Sequence, residues 1–398
     1  MTNDNSTPSR RVAVVGAGIT GPVLSLCLAR LGFEVDLYEA YVRRAQDVGS
    51  FVNLAPNGRA VLERLGLADR ILEQGRAASS VDFANHRGRE LARNPESTTN
   101  IMRGELSGAL REAATGDGVK LHTAKRLVAL DESGDGHWRL GFEDGAHAEA
   151  DIVLGCDGVN SATRRLLLPD APRPTYTGVV GSGGRSEIGA AELPVDGRFH
   201  MVFGLRGFFG YQVVSPGVVW WFENHQETRE RTFAELAEID DARWAAALAD
   251  RHRPDPAVIR RVLNAATGPV GRWPVHEVPP LDTWHRGDAA VLGDAAHAVA
   301  PHLGAGAALG MEDAYELALA LHRHPTAPQA FTAFEESRRG RVAAMAKQAR
   351  QTGAVMTPDR WIARAVRDLM LPMAIKQGVR KGTEAYSYRP SPWPVQVG

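Results

Sequence analysis

Residues 12–21 read Val12-Ala13-Val14-Val15-Gly16-Ala17-Gly18-Ile19-Thr20-Gly21. A short, unbroken apolar run suits a parallel strand buried on both faces. The three glycines then provide a tight turn, close backbone approach to an anion, and close packing of helix on strand, while the first N–H groups of the helix point at that anion. Val23, Leu24, Cys27, Leu28 and Leu31 mark one helical face, Pro22 sits in the first turn, and Gly32 stops the helix. A second strand, Val35-Asp36-Leu37-Tyr38, ends at Glu39, 18 residues after Gly21. A carboxylate at that point can grip ribose hydroxyls and repels a 2′-phosphate. The unit therefore predicts an α/β, Rossmann-like lobe holding FAD or NAD rather than NADP.

Two further stretches follow buried-strand patterns. Asp157-Gly158-Val159-Asn160-Ser161-Ala162-Thr163-Arg164 comes after Asp151-Ile152-Val153-Leu154, and reads either as a plain turn with a capping Asp or as part of a ligand site. Gly293-Asp294-Ala295-Ala296-His297 comes after Ala289-Ala290-Val291-Leu292, placing the Asp294 carboxylate at a strand's C-terminal edge, where α/β folds bind ligands. The loop through Pro301, Gly304 and Gly306 leads to a helix, whose dipole and free N–H groups would stabilise negative charge on a flavin ring. Together the two glycine-rich elements point to FAD.

The rest of the pattern divides the chain. Helices are expected around 56–65 and 105–114, and a polar hairpin region over 119–149. From Tyr176 to about 223 the residues alternate with period two, as at Phe199/Met201/Phe203 and Phe209/Tyr211/Val213, which predicts an antiparallel sheet with a helix inserted at 232–250. Long helices are expected over 307–323 and 328–354. The organisation expected is a first FAD-lobe segment (1–175), an antiparallel-sheet substrate lobe (176–280), a second FAD-lobe segment (281–355) and a C-terminal helical tail (356–398).

Composition narrows the function classes. The 398 residues carry 46 Lys+Arg against 47 Asp+Glu, so no overall field favours nucleic acid or an anionic membrane surface. An apolar content of 44% with 23% charged residues fits a globular protein, and no apolar run reaches membrane-spanning length. Two cysteines, Cys27 and Cys156, and a polar N-terminus without a signal-like core fit a cytoplasmic protein. Either a monomer or a homodimer is compatible with the sequence.

With these motifs in this order, residues 11–345 resemble the group A FAD-dependent aromatic monooxygenases, the p-hydroxybenzoate and salicylate hydroxylase family. The matching features are the dinucleotide turn with Glu39, the Asp157-Gly158 motif through Arg164, and Gly293–His297 with Pro301 and Asp313. The resemblance implies a glutathione-reductase-type FAD lobe, FAD bound tightly and non-covalently, NADH or NADPH as transient reductant, and O2 as co-substrate. The reaction implied is hydroxylation or epoxidation of an aromatic or polyketide-like molecule through a flavin C4a-hydroperoxide. The cofactor-binding residues expected are Gly16, Gly18, Thr20, Gly21, Glu39, Ala40, Arg43, Asn53, Arg103, Leu127, Asp157, Asp294, Pro301, Gly304, Ala305, Gly306, Ala307 and Ala308. Among them Arg103 would reach the FAD, Asp294 the ribityl chain, and 304–308 the ring. Two departures stand out: Ala308 occupies a position where the family often has Asn, and Gly178–Arg185 replaces bulkier residues.

The substrate is expected between the 301–306 loop and the sheet carrying Phe203, Phe209, Tyr211 and Trp221, with His302 as a contact and candidate catalytic residue. Tyr211 and Trp221 alternate with core positions, so core and pocket both remain open for them. His297 is expected to be a packed histidine near the cofactor. A halogenase of the same fold would carry Trp-x-Trp-x-Ile-Pro, which Trp220-Trp221-Phe222-Glu223 does not match. A flavin reductase or dehydrogenase, or a protein using FAD structurally, would keep the same frame without the oxygen chemistry.

Overall fold

The computed structural model describes residues 10–42, 51–95, 97–133, 136–301, 304–356, 362, 365–373 and 386–394. Its organising element is a six-stranded sheet ordered β18-β19-β12-β1-β2-β8. The strands are β1 (Arg11–Val15), β2 (Glu34–Tyr38), β8 (Lys120–His122), β12 (Ile152–Gly155), β18 (His285–Arg286) and β19 (Ala289–Val291). β1 pairs in parallel with β2 and β12, and every residue of β1 except Arg11 is buried, as its unbroken apolar run requires. Helix α1 (Thr20–Arg30) packs on this sheet through Val23, Leu24, Cys27 and Leu28, and Gly32 leaves it at φ +89°. Burial pushes the Cys27 thiol well up, so it is an inert core residue.

Around this sheet lie α2 (Pro56–Arg64), α3 (Ala68–Leu72), α4 (Arg103–Gly116), α5 (Ala162–Leu167), α9 (Asp294–His297), α10 (Gly306–Arg323) and α11 (Ala327–Met356). The 119–149 region forms the expected hairpins, β9 (Leu127–Glu132), β10 (Trp138–Phe142) and β11 (His147–Ala150). A small sheet of β3 (Phe51–Leu54), β7 (Thr98–Met102) and β4 (Arg76–Ala78) completes the lobe on the side facing the second sheet.

That second sheet has seven strands in the order β17-β13-β16-β15-β14-β5-β6. It contains β13 (Thr175–Glu187), β14 (Arg198–Phe203), β15 (Phe208–Ser215), β16 (Val218–Gln226) and β17 (Ala266–Glu277). It also recruits β5 (Ser80–Asn85) and β6 (Glu90–Asn94), from the stretch that sequence reading assigns whole to the FAD lobe. β14 runs parallel to β5, so the sheet is mixed rather than wholly antiparallel. A parallel partner can come from far away in sequence, because the intervening chain serves as the crossover.

The helix expected over 232–250 is two, α6 (Phe233–Ala237) and α7 (Asp241–Arg251), and a further helix, α8 (Ala257–Asn264), follows beyond that range. Thr232 and Glu235 form a reciprocal cap on α6, and Asp240 restarts the chain by accepting from the Arg243 N–H of α7. Pro254 and Pro256 separate α7 from α8. From the tail, residues 386–394 strap onto α10: the Tyr315 hydroxyl donates to the Ser391 carbonyl (2.6 Å) and the Tyr388 hydroxyl to Glu316 (2.5 Å). Among the described residues no helix is long and apolar enough to cross a membrane.

Candidate active site

The dinucleotide turn is built so tightly that Gly16 and Gly21 are obligatory. A Cβ on Gly16 (φ +102°) would stand 2.5 Å from the Cys156 carbonyl oxygen, and one on Gly21 would stand 1.9 Å from the Gly16 oxygen. The Gly16 N–H donates to the Tyr38 carbonyl (2.7 Å), which locks the turn to the end of β2. Glu39 is buried and holds this turn: one carboxylate oxygen accepts from the Ala17 N–H (2.9 Å), the other from the Tyr41 N–H (3.2 Å). Gly18, Thr20 and Ala40 are half-buried beside it. The side chain of Leu127 packs in the core with Trp138, Leu140 and Phe142, leaving its main chain for any ligand contact.

In the Asp157 motif the side chains bond within the fold. The Asp157 carboxylate accepts from the Ser161 hydroxyl (2.5 Å) and from the Thr163 N–H (2.9 Å) and hydroxyl (3.1 Å). Arg164, buried, donates to the Ala295 carbonyl (2.5 Å) and the Val159 carbonyl (2.7 Å). It thereby clamps the exit of β12 to the Gly293–His297 loop, and the capping reading of Asp157 accounts for its side-chain contacts.

In the downstream loop the backbone is set by Asp313. Its carboxylate accepts from the Gly293 N–H (3.1 Å) and from Arg338 (2.7 Å), and pairs with His297 Nε2 (2.5 Å). Burial would raise the Asp313 carboxyl, but His297 and Arg338 outweigh it and hold it below its ordinary value. His297, also packed 5.1 Å from the Trp284 ring, is thus the structural histidine expected. Asp294, between buried neighbours, stands exposed and makes no hydrogen bond or ion pair with the described residues.

Gly306 faces it: a Cβ there would lie 4.0 Å from Asp294 Oδ1. Pro301 and Gly304 are exposed, Gly306 and Ala307 half-buried, and Ala305 buried. Ala308 is buried where α10 crosses α2, its Cβ 3.0 Å from a Cβ built on Gly58, which accounts for a small residue there. Thr20 joins the two halves, packing on Gly293 and Gly310. No side chain caps the N-terminus of α1, α4 or α10. Arg103, the first residue of α4, is half-buried without a hydrogen-bond or ion-pair partner. Arg43 and His302 lie outside the described residues.

Uncapped helix N–H groups, an unpaired arginine and an unpaired carboxylate are donors and acceptors that suit a pyrophosphate and a polyol. The residues present therefore fit FAD.

The sheet face toward this lobe differs from the one expected. Phe209, Tyr211 and Trp221 face away, packed in a core with Val180, Leu236, Trp244 and Leu248 of the α6–α8 layer. A strand's alternate residues point to opposite faces, and here the apolar phase chosen from sequence belongs to the helix side. Only Phe203 of the four lies on the other face, 5.0 Å from Phe208 and 6.1 Å from Phe83.

Among the residues that face the FAD lobe are Phe199, Gln212, Trp220 and Phe222. Phe51 of β3 meets the rings of Phe199 (5.7 Å), Trp220 (6.2 Å) and Phe222 (5.9 Å). Gln212 bridges the two sheets, its Nε2 donating to the Ala77 carbonyl (2.9 Å) and its Oε1 accepting from Asn100 (2.9 Å). The signal for this face was a glutamine inside Phe208-Phe209-Gly210-Tyr211-Gln212-Val213, a polar residue out of phase with the helix-facing set.

The comparisons with known proteins agree with this frame. The FAD binding domain family matches residues 9–193 and 222–349. The chain is 34% identical to 6-hydroxynicotinate 3-monooxygenase of Bordetella bronchiseptica, over 76% of this chain and 80% of that protein. It is 30% identical to 3-amino-4-hydroxybenzoate 2-monooxygenase PtnB3 of Streptomyces platensis, over 87% and 89%. The crystal structure of Klebsiella pneumoniae HpxO with FAD and uric acid superposes with a TM-score of 0.81 at 23% identity, covering 94% of this chain and 95% of that one, which is a likeness of fold. The chain belongs to the FAD binding domain family. Within it, the chain is an FAD-dependent aromatic monooxygenase by class.

Proposed function

We propose that this protein uses NADH or NADPH and O2 to hydroxylate a small, planar, hydroxylated aromatic ring held against Phe51, Phe199, Trp220 and Phe222. The observation that carries this reading is the meeting of the two halves. The uncapped N-termini of α1 and α10 join through Thr20 beside the free Asp294 carboxylate, and Gly304, in the loop leading to α10, lies beside Asn53 of the strand whose Phe51 lies in the aromatic wall. FAD, when bound, supplies the electrons that let oxygen insert one atom into the ring.

The protein's own groups bind, orient and exclude water. N–H donors at the start of α1, with Gly16, Gly18 and Gly21, would take the pyrophosphate, and Glu39 with Ala40 the adenosine ribose. Arg103 would add a cation, Asp294 would accept from the ribityl hydroxyls, and the segment Pro301 through Ala308 would border the ring. The aromatic wall removes water from the reacting face, which favours product over peroxide release. Arg76, its guanidinium 5.8 Å from the Trp220 ring centroid, provides a rim cation for an acidic substituent such as the relatives' hydroxynicotinate and aminohydroxybenzoate carry. A cytoplasmic setting is supported by two buried free thiols.

The test is a panel of hydroxylated pyridines and benzoates added to FAD-loaded protein with NADH or NADPH under 18O2. Substrate-stimulated nicotinamide oxidation with 18O in the product is expected. Rapid nicotinamide oxidation without ligand and without incorporation would make the protein a flavin reductase, and failure to bind FAD would refute the reading altogether.

A further inference from the structure

The polar strip between the two sheets has a direction, and a backbone carbonyl sets it. The Ala77 carbonyl can only accept, so the Gln212 amide must turn Nε2 toward it (2.9 Å) and Oε1 the other way. That oxygen then requires Asn100 to donate through Nδ2 (2.9 Å), which leaves Asn100 Oδ1 to accept from Asn53 Nδ2 (3.1 Å). The second hydrogen of Asn53 Nδ2 goes to the Thr98 hydroxyl (2.6 Å). Gln212 and Asn100 are buried and mutually satisfied, so neither amide can flip without orphaning a buried group. Asn53, half-buried at the end of this relay, is left with Oδ1 as an acceptor that no described residue uses. Its Cβ is the neighbour within 4 Å, at 3.8 Å, of a Cβ built on Gly304, in the loop that would border the flavin.

We propose that Gln212 is a positioning residue: through Asn100 it orients the Asn53 amide so that Oδ1 presents a fixed hydrogen-bond acceptor to an N–H or O–H donor bound at the seam of the two lobes. This rests on the FAD monooxygenase reading above. Two donors share the required chemistry, the imide N–H of the flavin and a hydroxyl or ring N–H of the aromatic substrate. A reversed amide would offer that donor an N–H instead, so the relay selects for donor groups and against acceptors at this point.

The test uses the full-length protein with Gln212→Met, which keeps volume but removes both directional bonds, and Gln212→Glu. The probes are FAD, N3-methyl FAD, the panel member that most perturbs the wild-type flavin spectrum, and that compound's O-methyl ether. Dissociation constants come from flavin fluorescence and absorbance, with KM and kcat measured separately. Gln212→Met is expected to melt as a folded protein and to lose about tenfold in affinity for one donor. A loss for FAD that vanishes with N3-methyl FAD assigns the flavin imide; a loss for the hydroxylated ring, absent for its ether and with FAD affinity kept, assigns the substrate.

Gln212→Glu carries a signature that a purely structural strut would not. Protonated, the introduced carboxyl can donate to the Ala77 carbonyl and accept from Asn100, restoring the direction; ionised, it repels that carbonyl. Near-wild-type binding at pH 5.5 that falls to the level of Gln212→Met by pH 8.5 is expected, and this pH series alone decides the matter should Gln212→Met fail to fold. Wild-type affinity for both donors in Gln212→Met, or a Gln212→Glu phenotype independent of pH, overturns the proposal. Wild-type protein that binds FAD and turns over separates that result from a failure of the functional reading itself.

Discussion

The two faces of the seven-stranded sheet are nearly equal in apolar content and opposite in use. Toward α6–α8 it carries Val180, Phe209, Tyr211, Val213, Val219 and Trp221 in a closed core. Toward the FAD lobe it carries Phe199, Phe203, Phe208, Trp220 and Phe222, interrupted by Gln212. The closed face also buries charge. Glu223 pairs with His225 (2.8 Å) and His252 (3.3 Å), and His252 with Asp255 (2.7 Å), while Gly207 makes room because a Cβ there would stand 2.5 Å from Glu223. This buried ionic cluster belongs to the face packed against α6–α8. It sits on the side that holds the lobe together, whereas the face that meets the cofactor lobe uses neutral amides and rings.

This contrast can be broken most directly with adjacent tryptophans. Trp221→Ala, on the closed face, is expected to cost about 3–5 kcal/mol of stability. Trp220→Ala, whose ring meets Phe51 and Arg76 across the seam, should cost clearly less. Equal losses in denaturant titrations would erase the distinction between the faces.

The ionic cluster sharpens it through pH. Burial would raise Glu223, but His225 and His252 outweigh it and bring its carboxyl down to about 2. Burial would lower His252, but Asp255 and Glu223 bring it up to about 9. The Glu223 contribution is present above its ordinary 4.5 and is lost as pH falls through about 2. The His252 contribution is present below its ordinary 6.5 and is lost as pH rises through about 9. Thermal unfolding should therefore show Tm falling by several degrees between pH 6.5 and 9.5, and His252→Gln should flatten that limb while lowering Tm at pH 6. A wild-type Tm flat over this interval would deny the cluster its charge.

Across the seam, Asp294→Ala should leave Tm of the FAD-free protein in place and weaken FAD by about 1.5–3 kcal/mol, tenfold to over a hundredfold, in equilibrium titration. Unchanged FAD affinity would remove the downstream loop from the site. The smallest effect expected is in coupling: Trp220→Ala should keep FAD and raise the peroxide share of the oxygen consumed about twofold, read by catalase-sensitive oxygen uptake. Trp221→Ala, where folded, should leave that share unchanged.

The dinucleotide lobe was legible because its residues have local reasons. Gly16 and Gly21 sit where any side chain would collide with backbone, Val12–Val15 are apolar because both sheet faces are covered, and Gly293 and Gly304 adopt positive φ. These constraints act within a few residues, so they leave a sequence signature, and so does the family resemblance built on them. Asp157 was readable as a motif with a capping alternative, but the partners of its carboxylate, Ser161 and Thr163, appeared only in the fold. The recruitment of residues 80–94 into the second sheet left no local signal, since a parallel partner is chosen by long-range packing.

What the sequence determined by itself, then, is the α/β lobe and its dinucleotide site, through residues whose identity is dictated by turn geometry and strand burial, and, through the resemblance those motifs carry, the monooxygenase family. Tertiary structure alone decided which phase of the second sheet faces the cofactor lobe. Alternation guarantees two faces but does not label them, and here both are aromatic, so only the docking of α6–α8 on one side and of β3-β7-β4 on the other separates core from site. The same docking brought Gln212, Asn100 and Asn53 into one directed chain from three separate strands, an arrangement with no spacing rule to announce it.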